Sequence, residues 1–118
     1  MTKVLIVDDD AVTVSLLETL LELDGFTVLI ARRGADVIPV MQGDKPDVMM
    51  IDYHLTDVEG VDVIREVRAH PDFKDIPIVM ASGMDMSVAA MDAGADEFLI
   101  KPFEPSDLPD LFNRLISG

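Results

Sequence analysis

Short apolar runs alternate along the chain with stretches whose apolar residues recur at helical spacing. The runs lie at residues 4–7, 27–31, 48–51, 77–81 and 97–100. Each run is too short for a helix and is typical of a buried strand. The spacing predicts helices over residues 11–23, 35–42, 60–69, 86–93 and 106–117. Because proline lacks a backbone donor, we expect Pro39 to kink or shorten the second helix.

The regular alternation of strand and helix determines the fold class that we expect. Parallel strands joined by helices form a sheet that is covered on both faces, so its strands are aliphatic throughout. We therefore predict an α/β fold with a doubly wound, five-stranded parallel sheet. A length of 118 residues with 49% apolar content suits one domain over residues 1–118.

Polar or charged side chains stand where four of the five predicted strands end. Asp8 and Asp9 follow the first strand, and Asp52 follows the third. Ser82 and Lys101 follow the fourth and fifth strands. Ligands of a doubly wound sheet bind beyond the carboxyl ends of its strands. We expect these five side chains to converge on one site.

The charge of the chain limits the partners that it can bind. Nine Lys and Arg residues against 23 Asp and Glu residues give a net charge of −14. This charge disfavours direct binding to nucleic acid or to an anionic membrane, and it favours cations and basic protein surfaces. The chain has no Cys, no signal-peptide pattern and no apolar run of membrane-spanning length. We therefore expect a cytoplasmic protein without disulfides.

The predicted site combines three carboxylates, which repel one another unless a cation lies among them. Oxygen ligands without Cys or clustered His favour a hard ion such as Mg²⁺, which completes its coordination with waters and phosphate oxygens. The Lys101 ammonium and the Ser82 hydroxyl suit phosphate oxygens. A carboxylate beside the metal can act as a nucleophile and form an aspartyl phosphate. These arguments leave open which Asp is the nucleophile.

The motifs VLIVDDD, MMIDYHLTDVEG, IVMASG and GADEFLIKPF occur in this order over nearly the whole chain. In their order and spacing they resemble the receiver domain of two-component response regulators. The resemblance implies the flavodoxin-like strand order 2-1-3-4-5 and Asp52 as the phosphoacceptor. It also implies that Mg²⁺ is held by Asp8, Asp9, Asp52 and the backbone carbonyl of His54.

The same resemblance assigns roles to residues in the last two strands. Ser82 and Lys101 would bind the phosphoryl oxygens, and Ser82 with Phe98 would form the conformational switch. The bond between Lys101 and Pro102 would be cis. A histidine kinase or a phosphotransfer protein would donate the phosphoryl group, and the switched surface would bind an output protein. The chain would modify itself and would not turn over a substrate as an enzyme does.

Two features depart from the family's common pattern. Thr56 stands four residues after Asp52, where the family commonly has Pro, and we expect it to loosen this loop. The segment from Ser82 to Lys101 is shorter than usual by about three residues, nearly one helical turn. The loss falls in the fourth helix or in the loop before it, a region that belongs to the family's output face.

Two alternative functions stay open at this point. A phosphohydrolase of the haloacid dehalogenase kind would use Asp8 as the nucleophile and Asp10 as the acid/base. Asp10 also suits the cap of the first helix, because it directly precedes that helix. The second alternative is a receiver-like interaction module that is never phosphorylated.

Overall fold

The computed structural model describes residues 1–118. Its strands are β1 (Lys3–Val7), β2 (Thr27–Ala31), β3 (Val48–Asp52), β4 (Ile78–Ser82) and β5 (Glu97–Ile100). Its α-helices are α1 (Ala11–Leu23), α2 (Val37–Asp44), α3 (Gly60–Ala69), α4 (Ser87–Ala93) and α5 (Leu108–Ser117). Short 3-10 turns, Gly34–Asp36 and Pro105–Asp107, precede α2 and α5.

The five strands form one parallel sheet in the order β2-β1-β3-β4-β5. The predicted doubly wound fold and its flavodoxin-like order are therefore confirmed. In this order the chain winds one way from β1 to β2 and the other way from β3 to β5, so the winding reverses between β1 and β3. The carboxyl ends of these two strands carry the acidic residues of the predicted site.

Two apolar clusters, one on each face of the sheet, hold the layers together. Because side chains alternate along a strand, Leu5 and Val7 of β1 pack with α2, α3 and α4, whereas Val4 and Ile6 pack with α1 and α5. All four of these β1 side chains are fully buried. The aliphatic strands are thus explained by helices on both faces.

All element boundaries agree with the predictions to within two residues, and the second helix is the only element displaced by two residues at both ends. It spans Val37–Asp44, whereas we predicted residues 35–42, because a 3-10 turn takes up residues 34–36. Pro39 consequently lies in the first turn of α2, where the backbone N–H of any residue lacks an intrahelical partner. The helix tolerates this proline for that reason.

Helix α4 is the shortest α-helix of the structure, with seven residues, and it ends at Gly94 in the left-handed region with a φ of 115°. Its shortness agrees with the reduced spacing between Ser82 and Lys101. None of the five α-helices has the length and apolar character needed to cross a membrane.

Candidate functional site

The carboxyl edge of the sheet brings three carboxylates together. Asp8 and Asp9 directly follow β1, and Asp52 is the last residue of the adjacent strand β3. One carboxylate oxygen from each of them lies within 4.8 Å of the other two. Asp8 is buried and the other two are half-buried. Oxygen donors this close can share one hard cation such as Mg²⁺, so the residues fit that ion.

Lys101 is the cationic side chain of this cluster. Its Nζ donates a hydrogen bond of 2.8 Å to Oδ1 of Asp52 and lies 3.6 Å from Oδ2 of Asp8. The backbone N–H of Lys101 donates to the carbonyl oxygen of Ser82 at 2.8 Å, which ties the residue to the end of β4. The Lys101–Pro102 peptide bond is cis, as the resemblance implied. The ammonium group thus pairs with two of the three carboxylates, and the third, Asp9, has an oxygen within 4.8 Å of theirs.

The environment shifts the pKa values of two groups in the cluster. Burial raises the pKa of the Asp8 carboxyl, and the charges of Asp52 and Asp9 add to this effect, although the Asp10 N–H and Lys101 oppose it. Burial alone would lower the pKa of Lys101, but its hydrogen bond with Asp52 and the charges of Asp52 and Asp8 outweigh that cost and raise the pKa. Lys101 is therefore firmly protonated, and the cluster would gain from a further cation.

Asp10 does not belong to the cluster of three carboxylates and caps a helix instead. Its Oδ1 accepts a hydrogen bond from the backbone N–H of Val12 at 3.2 Å, and its Oδ2 accepts one from the Thr13 hydroxyl at 2.6 Å. The hydrogen bonds from Thr13 and from Val12 lower the pKa of Asp10. Asp10 is therefore the N-cap of α1, as we predicted, and both of its carboxylate oxygens accept hydrogen bonds from the first turn of that helix.

Ser82 and Phe98 lie on the strands that flank the lysine. Ser82 is buried at the end of β4, and its hydroxyl oxygen accepts a hydrogen bond of 3.3 Å from the backbone N–H of Met84. Phe98 is half-buried and packs against the apolar cluster formed with α2, α3 and α4. Ser82 lies one strand away from Asp52, whereas Phe98 lies three residues before Lys101 and contacts the core.

His54 has an exposed side chain whose ring packs edge-on against Tyr53, with the ring centroids 4.7 Å apart. Its backbone pairs with Glu59 in an isolated antiparallel bridge. The Tyr53 hydroxyl donates to the Glu59 carboxylate at 3.1 Å. These contacts fold the segment after β3 into a compact loop before α3.

Gly60 closes this loop at the start of α3. Its N–H donates a hydrogen bond of 2.6 Å to the carbonyl oxygen of Tyr53. A Cβ atom at this position would overlap the carbonyl oxygen of Asp52, so only glycine allows α3 to begin so close to the end of β3. The glycine thereby brings α3 directly against the strand that carries Asp52.

Thr56 and Asp57 are two functional candidates that the sequence did not identify. The Thr56 hydroxyl donates a hydrogen bond of 2.6 Å to Oδ2 of Asp9. The Asp57 carboxylate accepts hydrogen bonds from the backbone N–H groups of Gly34 at 2.9 Å and Ala35 at 3.0 Å. We expected a looser loop at Thr56, and the structure instead shows side-chain bonds that tie the loop to its neighbours. The only feature of the sequence that could have indicated these contacts is the polar residue Thr56 at the position, four residues after Asp52, where the family commonly has Pro.

Comparison with known proteins agrees with this geometry. The family model of the response regulator receiver domain matches residues 4–113. The chain belongs to the response regulator receiver family. The response regulator MprA of Mycobacterium ulcerans is 34% identical over 109 residues, which make up 90% of this chain and 46% of that protein. This receiver domain thus spans about half the length of the curated relatives that it matches.

Solved structures resemble this receiver domain over nearly the whole length of both chains. A Chloroflexus aurantiacus protein assigned to the response regulators has a TM-score of 0.92 and 32% identity, with coverage of 99% of this chain and 98% of that one. The chemotaxis response regulator CheY4 of Vibrio cholerae has a TM-score of 0.89 and 27% identity, with 98% of each chain covered. The chain is therefore a receiver domain of two-component signalling with a CheY-like fold.

Proposed function

We propose that this receiver domain accepts a phosphoryl group on Asp52 in a Mg²⁺-dependent reaction. The observation that carries the proposal is the 2.8 Å bond between Lys101 Nζ and Asp52 Oδ1, within a cluster where Asp8 and Asp9 offer oxygens less than 4.8 Å away. A nucleophilic carboxylate, a cation for the phosphoryl oxygens and two metal ligands thus meet at the winding reversal of the sheet.

The reaction that these residues support is an in-line displacement. A carboxylate oxygen of Asp52 attacks the phosphorus of a phosphohistidine, the O–P bond forms as the N–P bond breaks, and the imidazole nitrogen keeps the electron pair. Lys101 offsets negative charge on the transferring oxygens. Asp8, Asp9, Asp52 and the backbone carbonyl of His54 would hold Mg²⁺. When bound, the ion supplies charge neutralisation and alignment of the phosphoryl oxygens.

The response to phosphorylation runs through the ends of β4 and β5. The Ser82 hydroxyl, whose oxygen accepts from the Met84 N–H, donates its own hydrogen to a phosphoryl oxygen, while Lys101 stays beside Asp52 and pairs with another phosphoryl oxygen. Phe98, packed at the edge of the core, then changes its position, and the surface around the shortened α4 binds a different partner. A two-state shift of this kind follows from a local change in charge and hydrogen bonding.

The partners follow from the same proposal. The phosphoryl donor is a histidine kinase or a phosphotransfer protein, and the receiver acts on an output protein or domain through its switched surface in the cytoplasm. Residues 1–118 act as one phosphoacceptor domain without direct contacts to nucleic acid or membrane. The domain catalyses its own modification and is not a turnover enzyme.

The assignment of Asp52 can be tested with phosphoramidate, a small donor that also has an N–P bond. The protein is incubated with the donor and Mg²⁺, and its intact mass is measured for wild type, Asp52→Asn and Asp8→Asn. We expect one phosphoryl group on wild type, less on Asp8→Asn and none on Asp52→Asn. Stoichiometric labelling of Asp52→Asn with none on Asp8→Asn would instead support the dehalogenase-like alternative.

A further inference from the structure

The hydrogen bond between Thr56 and Asp9 joins two loops that are far apart in sequence. Thr56 lies between β3 and α3, and Asp9 lies between β1 and α1, 47 residues away along the chain. The O–O distance of 2.6 Å is in the range of a charge-assisted bond from a hydroxyl to a carboxylate. Because Thr is β-branched, few rotamers are open to it, so its hydroxyl has a narrow choice of directions.

The loop that presents Thr56 is held in place on both sides of this residue. On one side, the N–H of Leu55 donates to the carbonyl oxygen of Val58 at 3.2 Å. On the other side, Asp57 accepts two backbone hydrogen bonds from the segment after β2, and these bonds lower the pKa of its carboxyl. The hydroxyl therefore reaches Asp9 from an anchored position.

Asp9 needs such a partner more than its neighbours do. The Asp8 carboxylate is buried and accepts a hydrogen bond from the Asp10 N–H, and Asp52 is bonded to Lys101. Asp9 is half-buried, and its carboxylate accepts its one protein hydrogen bond from Thr56. Without that bond, the carboxylate would have to lose its rotational freedom at the moment a metal binds.

We propose that Thr56 is a positioning residue for Mg²⁺, because its hydroxyl holds the Asp9 carboxylate in the orientation that binds the ion. This inference rests on the proposed metal-dependent function and adds a residue to it. A carboxylate oxygen has two lone pairs, so Oδ2 of Asp9 can accept the Thr56 hydrogen bond and still bind a cation. Partners of this kind fix the orientation of metal ligands and are worth a measurable part of the affinity.

The test measures Mg²⁺ binding by isothermal titration calorimetry for wild type, Thr56→Val and Thr56→Ser. Val has the shape of Thr without its hydroxyl, whereas Ser keeps the hydroxyl. We expect Thr56→Val to weaken Mg²⁺ binding by about 3- to 10-fold, at or below the low end of the range for partners that orient metal ligands. Thr56→Ser should bind close to wild type. The matched control is Thr19→Val, an exposed position on α1 remote from the cluster.

Thermal melts of the same proteins with and without Mg²⁺ separate positioning from a merely structural role. A lower melting temperature of Thr56→Val without metal measures what the hydrogen bond contributes to the fold, whereas a smaller gain on addition of Mg²⁺ measures positioning. Unchanged or tighter Mg²⁺ binding by Thr56→Val would overturn the inference, because the hydroxyl would then be neutral or would compete with the ion. If wild type binds no Mg²⁺, the metal-dependent function itself fails, and this result is distinct from any difference between the variants.

Discussion

At each edge of the sheet a cationic side chain lies within a cluster of oxygen atoms, but the balance of charge differs between the two clusters. At the amino edge, Arg68 donates to the carbonyl oxygens of Gly94, Lys74 and Ile76, at distances between 2.6 and 2.9 Å. It also donates to the Asp96 carboxylate at 3.0 Å. At the carboxyl edge, Lys101 pairs with the carboxylates of Asp52 at 2.8 Å and Asp8 at 3.6 Å, and an Asp9 oxygen lies within 4.8 Å of theirs.

This difference is the one we expect between a structural cluster and the proposed phosphoacceptor site. The five N–H donors of the Arg68 guanidinium are all engaged, and a single carboxylate balances its charge, so nothing further needs to bind there. The Lys101 cluster retains an excess of two negative charges, which a divalent cation would neutralise. A cluster whose negative charge is not neutralised by the protein favours the binding of a cation, whereas a neutralised cluster contributes only to the stability of the fold.

Removal of Arg68 should have the largest effect on stability. Arg68→Ala leaves carbonyl oxygens at the ends of α4 and of the loop before β4 without donors, so we expect the free energy of unfolding to fall by about 2–4 kcal/mol. Urea denaturation measures this change. Arg65→Ala is the matched control, because Arg65 is exposed on the same helix and pairs only with Asp62 at 3.3 Å. Equal losses for the two variants would show that the amino-edge cluster is not structural.

Addition of Mg²⁺ should act at the opposite edge and in the opposite direction. At a concentration ten times the dissociation constant, Mg²⁺ should raise the free energy of unfolding of wild type by about 1.4 kcal/mol, because it binds only the folded state. Asp9→Ala should lose most of this gain, whereas Asp92→Ala, an exposed position on α4, should keep it. Coincident melts of wild type with and without Mg²⁺ would be incompatible with the metal site.

The lifetime of the proposed aspartyl phosphate on Asp52 depends on the residues that could hold a water in line with the phosphorus. The relevant positions are His54 and Met84, two residues after Asp52 and Ser82. Met84 is 66% exposed and its sulfur is a weak acceptor, and the His54 ring packs on Tyr53. We therefore expect slow self-dephosphorylation. Met84→Glu and His54→Asn should each shorten the lifetime severalfold, measured as loss of label after the donor is removed.

The result that would contradict this expectation is rapid loss of the phosphoryl group from wild type, within seconds, without change in either variant. Water positioning by these side chains would then be irrelevant, and another group would have to orient the nucleophile.

The smallest expected effect is that of Asp57, whose carboxylate ties the loop after β3 to the segment after β2, on the pH dependence of stability. Hydrogen bonds from Gly34 and Ala35 hold the pKa of Asp57 below its ordinary value of 3.8. A carboxyl whose pKa is lower in the folded state stabilises the fold fully above its ordinary pKa, and this contribution is lost as the pH falls through the lowered value. Asp57→Asn should therefore be less stable than wild type near neutral pH. The gap between their thermal midpoints should narrow in acid, and a gap that is constant with pH would contradict the assignment.

Regular features of the fold and of the central site could be predicted from the sequence. Aliphatic runs separated by amphipathic stretches specify a parallel sheet, and the carboxyl ends of parallel strands meet at one edge. Asp8, Asp9, Asp52 and Lys101 directly follow such runs, so their convergence follows from topology alone. Predicting this convergence did not require the conformation of the loops.

Features that depend on loop conformation could not be predicted. The sequence indicates only that Thr56 lies in a loop. Its hydrogen bond with Asp9 forms because the loop after β3 folds back toward β1. Arg68 has the pattern of an exposed helix residue, yet its acceptors come from segments up to 28 residues away. The predicted start of α2, residue 35, was wrong for a similar reason. A 3-10 turn and an α-helix have almost the same sequence pattern, so the sequence does not separate the turn at residues 34–36 from the helix that follows.

The central claim is that Asp52, at the carboxyl edge of the sheet where negative charge is in excess, accepts a phosphoryl group. The most direct measurement uses a phosphorylated histidine phosphotransfer domain as donor with Mg²⁺, followed by borohydride reduction of the acyl phosphate and peptide mapping by mass spectrometry. We predict that transfer requires Mg²⁺ and that reduction converts position 52 alone to homoserine. Modification at position 8, or transfer that is equally fast in Asp52→Asn, would contradict the account.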